Sequence, residues 1–257
     1  MNSSHNSPPA EQPVALVTGS GAPRIGNVVA QALAGRGYRL IIHANSSIAD
    51  ARKLADELTA AGSESIAVTA DVRDEHAIER VVREAHSHFG RIDALVNCAA
   101  IWNAKRLEEV TAEDVRQNFE INTLGTFLFC QHVGRIMVSQ PEGGAIVNFG
   151  DWAVVRPYLD YAAYFPSKGA IPTLTRTFAA ELANRNPRVR VNAILPGPVM
   201  LPEHLSSDER AAAVAGTLLK REGSPQNVAQ AVVFLLANDY ITGVCLPVDG
   251  GRSIFGL

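Results

Sequence analysis

Cysteine is scarce in this 257-residue chain: Cys98, Cys130 and Cys245 are too few and too scattered for a disulfide framework. No CxxC or HExxH spacing occurs, and the His86/His88 pair sits in a polar helical stretch that reads as a solvated face, so no metal site is expected. Residues 1–13 contain no Lys or Arg and no apolar centre, unlike a secretory signal. With the odd cysteine count, that points to a reducing, cytoplasmic setting. No apolar run approaches the roughly 18 residues of a membrane span. Neither sign of charge dominates: 23 Lys+Arg against 26 Asp+Glu leaves a net charge of −3. That balance argues against nucleic acid or an anionic membrane as the main partner and leaves a small-molecule substrate.

What is present is alternation. Val14–Thr18, Tyr38–His43, Ser65–Ala70, Ala94–Asn97, Ala145–Phe149, Arg188–Ile194 and Val244–Val248 read as short apolar strands. Between them lie helical patterns at Arg24–Arg36, Ile48–Ala61, Glu75–Phe89, Ala112–Val138, Asp160–Asn184, Ser207–Lys220 and Pro225–Ala237. Continuous Val/Ile/Ala strands are covered on both faces, so the sheet is parallel and sandwiched by helices. Right-handed crossovers then predict an α/β doubly wound sheet of seven strands, mostly parallel. The Ser/Asn/Pro-rich residues 1–13 read as a disordered tail, and residues 14–257 as one cofactor-binding domain.

The turn after the first strand, Thr18-Gly19-Ser20-Gly21-Ala22-Pro23-Arg24-Ile25-Gly26, lets backbone come close to a pyrophosphate at the opening of a helix. Arg24 can add a bidentate phosphate contact. No acid occurs between Gly26 and Asp50, where an NAD-binding sheet usually holds the ribose with Asp or Glu. Asn45, Ser46 and Ser47 stand there instead, as donors for a 2′-phosphate, which favours NADP(H), or simply as caps of the next helix.

These motifs resemble, in order and spacing, those of the short-chain dehydrogenase/reductases. They are Gly19 with Gly26, Asp71-Val72, Asn97-Cys98-Ala99-Ala100, Asn122, Tyr164-x-x-x-Lys168 and Pro196-Gly197, over about residues 14–251. Tyr164 and Lys168 are four apart, on one helix face. A lysine cation there is expected to lower the tyrosine pKa from its usual 10 or so, making Tyr164 a proton donor while hydride reaches the adjacent carbon. The resemblance implies that Lys168 also binds the nicotinamide ribose and that Asn122 holds a water in a proton relay to it. It also implies that Ile25, Ala99 and Val199 line the cofactor site and that the chain is a homotetramer.

Where relatives usually carry serine, thirteen residues before the tyrosine, this chain has Asp151. The pteridine reductases carry aspartate there. Arg24-Ile25-Gly26 and His43-Ala44-Asn45-Ser46-Ser47 also resemble their cofactor loops, and Trp102 falls where they stack an aromatic ring on the pterin. The expected substrate contacts are thus Trp102, Asp151 and Arg24. Asp151 would manage a proton, or merely stabilise Lys168 or a helix end; Trp102 would stack on substrate, or fill a core or interface. Two departures stand out. Gly19 and Gly26 lie seven apart instead of six, and Ala100 replaces a serine. The leading expectation is NADPH-dependent reduction of a dihydropterin-like heterocycle. The alternatives are a carbonyl oxidoreductase of the 3-oxoacyl-thioester type and a cofactor sensor without turnover.

Overall fold

The computed structural model describes residues 12–201 and 205–255, so the expected tail lies outside the described residues except for Gln12 and Pro13. Seven strands form one sheet: β1 (Val14–Thr18), β2 (Arg39–Ala44), β3 (Ser65–Thr69), β4 (Ala94–Asn97), β5 (Gly144–Phe149), β6 (Val189–Pro196) and β7 (Cys245–Val248). Their order is β3-β2-β1-β4-β5-β6-β7, and every pairing is parallel. The helices are α1 (Ile25–Ala34), α2 (Ile48–Ala60), α3 (Glu75–Phe89), α4 (Ala112–Asn118), α5 (Gly125–Ser139), α6 (Tyr164–Ala183), α7 (Ser207–Ala215) and α8 (Pro225–Ala237).

Side chains alternate across each strand, and this divides the core in two. Leu16, Ile41, Val68, Leu95 and Ile146 pack against α3, α5 and α6. Ala15, Val17, Leu40, Ile42 and Val147 pack against α1, α2 and α8. The result is the expected single-domain α/β sandwich. The strand order reverses between β1 and β4, and in such sheets a crevice opens at the carboxyl ends of the strands at that point.

Three helices differ from expectation. The single helix expected over 112–138 is α4 and α5 joined by a π-turn at Phe119–Leu124. The wider turn swings Asn122 inward, where it accepts from the Ile101 N–H (2.9 Å) and donates to the Ile101 carbonyl (3.1 Å). The helix expected from Asp160 starts at Tyr164. Asp160 has φ +69, and its carbonyl accepts from the Lys105 N–H, so the preceding segment is held as a loop. Pro166 therefore falls in the first turn, where a missing N–H costs nothing, and α6 runs on through Pro172. Finally, α7 ends at Ala215 rather than Lys220, because the Leu218 and Leu219 N–H groups turn to the Gly250 carbonyl.

Candidate active site

The segments singled out in the sequence converge at the carboxyl edge of the sheet. Gly19 takes φ +62, and a side-chain carbon there would stand 2.8 Å from the Ala99 backbone. Gly26 lies equally close to the Gly19 carbonyl, 2.7 Å from where a Cβ would be. The turn after β1 is thus packed tightly against that after β4. The Thr18 hydroxyl secures this junction by accepting from the Cys98 and Ala99 N–H groups at 3.0 and 3.1 Å. Ser20 is turned inward onto the Val17 carbonyl, leaving Arg24 exposed as the residue before α1.

His43, expected from sequence to end the second strand and open the cofactor loop but given no role of its own, is the buried post of this region. Its Nδ1 accepts from the Gly19 N–H (3.3 Å), so its Nε2–H donates to the Ala70 carbonyl (3.1 Å). Burial lowers its pKa from 6.5 to about 4. The unfolded chain therefore binds the extra proton between those values, and stability is full above pH 6.5 and lost as pH falls toward 4. The acid-dependent loss of unfolding free energy that His43→Gln removes is expected to be about 2 kcal/mol, read from urea unfolding at pH 7 and pH 4.5.

Asn45 and Ser46 are exposed at the end of β2, and Ser47 is half-buried. Ser47 occupies the residue before α2 but makes no side-chain capping bond, so the helix-cap alternative is not realised in its side chain. A carbon at Gly21 would stand 2.9 Å from the Ser47 carbonyl, which places these polar groups beside the glycine turn. Asp71 is committed to Arg73 in a bidentate pair (2.6 Å at the closest), and this holds its carboxyl below the usual range. Val72 is buried beneath Gly125. The Asn97 amide donates to Asn148 Oδ1 (2.9 Å), so its side chain serves the strand ends. Pro196 ends β6, Gly197 abuts Asp249 and Val199 is buried.

The catalytic candidates meet as the spacing predicts, with one inversion. The Tyr164 hydroxyl donates to Asp151 Oδ2 at 2.8 Å. Asp151 Oδ1 accepts from the Ala153 N–H (2.8 Å), capping the short 3₁₀ turn Trp152–Val155. Lys168 is buried, and its Nζ donates to the Phe149 carbonyl (2.8 Å). Burial pulls its pKa down to about 8, against the opposing pull of Asp151. Lysine was expected to lower the tyrosine pKa. Instead, burial and then the Asp151 charge push Tyr164 well above 10, because the carboxylate both repels a phenolate and claims its proton. Asp151 is itself raised, by burial that outweighs the Ala153, Tyr164 and Lys168 contributions. Asn122 lies nearby, its amide also donating to Ser167 (3.0 Å). With its side chain so engaged, any water it holds toward Lys168 must use other atoms.

Trp102 is 39 % exposed and stacks on Tyr161, ring centroids 4.9 Å apart and 11° from parallel. Tyr158 stands edge-on to Tyr161 at 5.1 Å. Tyr161 in turn lies 6.2 Å from the Tyr164 ring. One face of Trp102 is therefore already covered by protein. The tyrosines of this wall were missed from sequence; their clustering before Tyr164 was the available signal.

A doubly wound parallel sheet with a glycine turn after β1 and a Tyr–Lys pair at its carboxyl edge defines an oxidoreductase of the nicotinamide-dependent type. Residues 21–253 match the family described as Enoyl-(Acyl carrier protein) reductase, and the chain belongs to this family of short-chain dehydrogenase/reductases. It is 36 % identical over 250 residues to an uncharacterized oxidoreductase of Methylorubrum extorquens, covering 94 % of this chain and 98 % of the relative. It is 35 % identical to the 3-oxoacyl-[acyl-carrier-protein] reductase of Homo sapiens, covering 91 % and 95 % respectively. A versicolorin reductase of Emericella nidulans is 33 % identical, covering 93 % and 94 %. These relatives favour the 3-oxoacyl-type alternative over the pteridine reductase expectation.

Proposed function

We propose that this protein is an NADP(H)-dependent carbonyl reductase in which Tyr164, Asp151 and Lys168 manage the proton. The observation that carries this is the 2.8 Å hydrogen bond from Tyr164 to Asp151, with the Lys168 ammonium buried one helical turn along. The likeness to 3-oxoacyl reductases supports a carbonyl as the reacting group. The cofactor, when bound, supplies the hydride.

The residues present fit such a cofactor. Any side chain at Gly19 or Gly26 would collide with neighbouring backbone, and α1 opens with N–H groups directed at the turn. Gly19, Ile25, Gly26 and Arg24 would hold the pyrophosphate. Asn45, Ser46, Ser47 and Arg24 would hold the 2′-phosphate. Asp71 and Val72 would flank the base. Asn97 and Ala99, through their backbone, with Pro196, Gly197 and Val199, would border the nicotinamide half, and Tyr164 and Lys168 its ribose. NADPH is expected to bind more tightly than NADH in calorimetric titration. Ser46→Asp should cut NADPH affinity by at least about tenfold through like-charge repulsion, leaving NADH little changed. Equal affinities in the wild type would overturn the preference.

Asp151 also supports a second reading, the pterin-like heterocycle, because a raised carboxyl can protonate a ring nitrogen. Trp102 would then offer the substrate only the face not stacked on Tyr161. NADPH consumption with a 3-oxoacyl thioester and with a dihydropterin separates the two; turnover of neither would support the sensor instead. The exposed Phe119, Leu124 and Phe127 on the π-turn and α5 support the homotetramer. Among the described residues no helix is long and apolar enough to cross a membrane, and a cytoplasmic location is part of the same reading.

A further inference from the structure

The C-terminal turn reaches back over the segment that carries Asp151. The Arg252 guanidinium lies 4.8 Å above the Trp152 ring, and its Nη1 donates to the Ala213 carbonyl of α7 at 2.5 Å. A side-chain carbon at Gly216 would overlap that guanidinium, so the glycine leaves the slot in which it sits. The turn is itself held. Asp249 accepts from the Gly251 and Ser253 N–H groups (2.9 and 2.7 Å), and Arg156 donates to the carbonyls of Arg252 and Phe255. Trp152 is buried with Ala153, Tyr164 and Phe165, and it begins the 3₁₀ turn that Asp151 caps. Helix α7 buries none of its residues fully, so hydrogen bonds such as that from Arg252 add to its hold on the domain.

We propose that Arg252 is a positioning residue for Asp151. Stacked on Trp152 and anchored to α7, it presses the 3₁₀ turn into the register in which Asp151 meets both the Ala153 N–H and the Tyr164 hydroxyl. Arginine suits this place because a planar guanidinium can stack on an indole face and still donate at its edge. The C-terminal turn thereby becomes part of the active site, although no atom of Arg252 needs to touch substrate. The proposal rests on Asp151 serving turnover as set out above.

The test compares Arg252→Ala, Arg252→Lys and Gly216→Ala in the full chain. Gly216→Ala displaces the guanidinium without removing its charge. Arg252→Ala and Gly216→Ala are each expected to lower kcat by about tenfold, since a small misplacement of a proton-handling group costs that order of rate. NADPH affinity should stay within about twofold, and Arg252→Lys should recover part of the loss. In a Trp102→Phe background, where Trp152 is the remaining tryptophan, Arg252→Ala should also shift the emission of the indole to the red. That optical readout needs no substrate. If no carbonyl substrate is turned over but the emission shifts, the proposed function fails while the Arg252–Trp152 contact stands. Unchanged kcat in both Arg252→Ala and Gly216→Ala, or unchanged emission, would overturn the positioning role. So would a loss of thermal stability with no change in the kcat of the folded fraction.

Discussion

Tyr164→Phe is expected to lower turnover by about 10²–10⁴-fold, the usual contribution of a positioned proton donor. The change removes one oxygen from a buried ring packed among Phe165, Trp152 and Tyr161, so the fold should survive. The Asp151 carboxylate loses its phenolic partner, but Ala153 still donates to it. NADPH affinity should therefore change far less than kcat, and single-turnover hydride transfer should carry the loss. Lys168→Ala should lose turnover on a similar scale, and NADPH affinity with it, because the ammonium is buried beside Asp151 and would bind the nicotinamide ribose. Near-full activity of Tyr164→Phe on a substrate the wild type turns over would remove this tyrosine from the chemistry.

The second expectation concerns pH. A carbonyl oxygen gathering negative charge needs hydrogen-bond donors, and an ionised Asp151 is an acceptor that also ties up the tyrosine proton. Protonating Asp151 reverses both effects: the acid becomes a donor and the phenol is released toward substrate. The groups facing it are Tyr164 and Lys168 from α6, Tyr158 from the loop before α6 and the Ala153 N–H from its own turn. Burial outweighs them and raises its pKa. On the proposed mechanism the active form is the protonated one. Carbonyl reduction should thus rise as pH falls, by about tenfold per unit above that pKa, and level off below it. Asp151→Ser and Asp151→Asn supply a neutral donor at every pH and should flatten this limb. Both variants should also lower the Tyr164 pKa, since each removes a negative charge 2.8 Å from its oxygen. A pH–rate profile of kcat/KM for wild type and both variants checks this. A wild-type profile with no limb that rises as pH falls, or one that both variants share, would make Asp151 a structural charge.

Local information stops where distant segments of the chain meet. The alternation of apolar strands and amphipathic helices was legible because burial on a sheet face and on a helix stripe follows residue type at short spacing. The seven strands and their parallel pairing follow from it. The helix over 112–138 was read as unbroken because one inserted residue in a π-turn hardly disturbs apolar spacing, while the contact that stabilises it, Asn122 to Ile101, lies 21 residues away. The start of α6 was misplaced because Asp160 is held by Lys105, a partner local propensity does not reveal.

The same division runs through the site. Tyr164 and Lys168 belong to one helix, so their spacing alone puts them on one face, and the glycine turn follows β1 whatever else the chain does. The family resemblance was therefore legible too. The sign of the tyrosine shift was not, because it depends first on how deeply the folded chain buries the phenol and then on which charge it brings nearer: Lys168 turns to the Phe149 carbonyl, while Asp151 takes the phenol. His43 as a neutral post, Trp102 half covered by Tyr161 and Arg252 over Trp152 were likewise decided only by tertiary structure. Backbone periodicity and residue burial are local properties that the amino-acid order carries by itself. The choice of partner for a buried polar or aromatic group is settled by whichever distant segment packs against it.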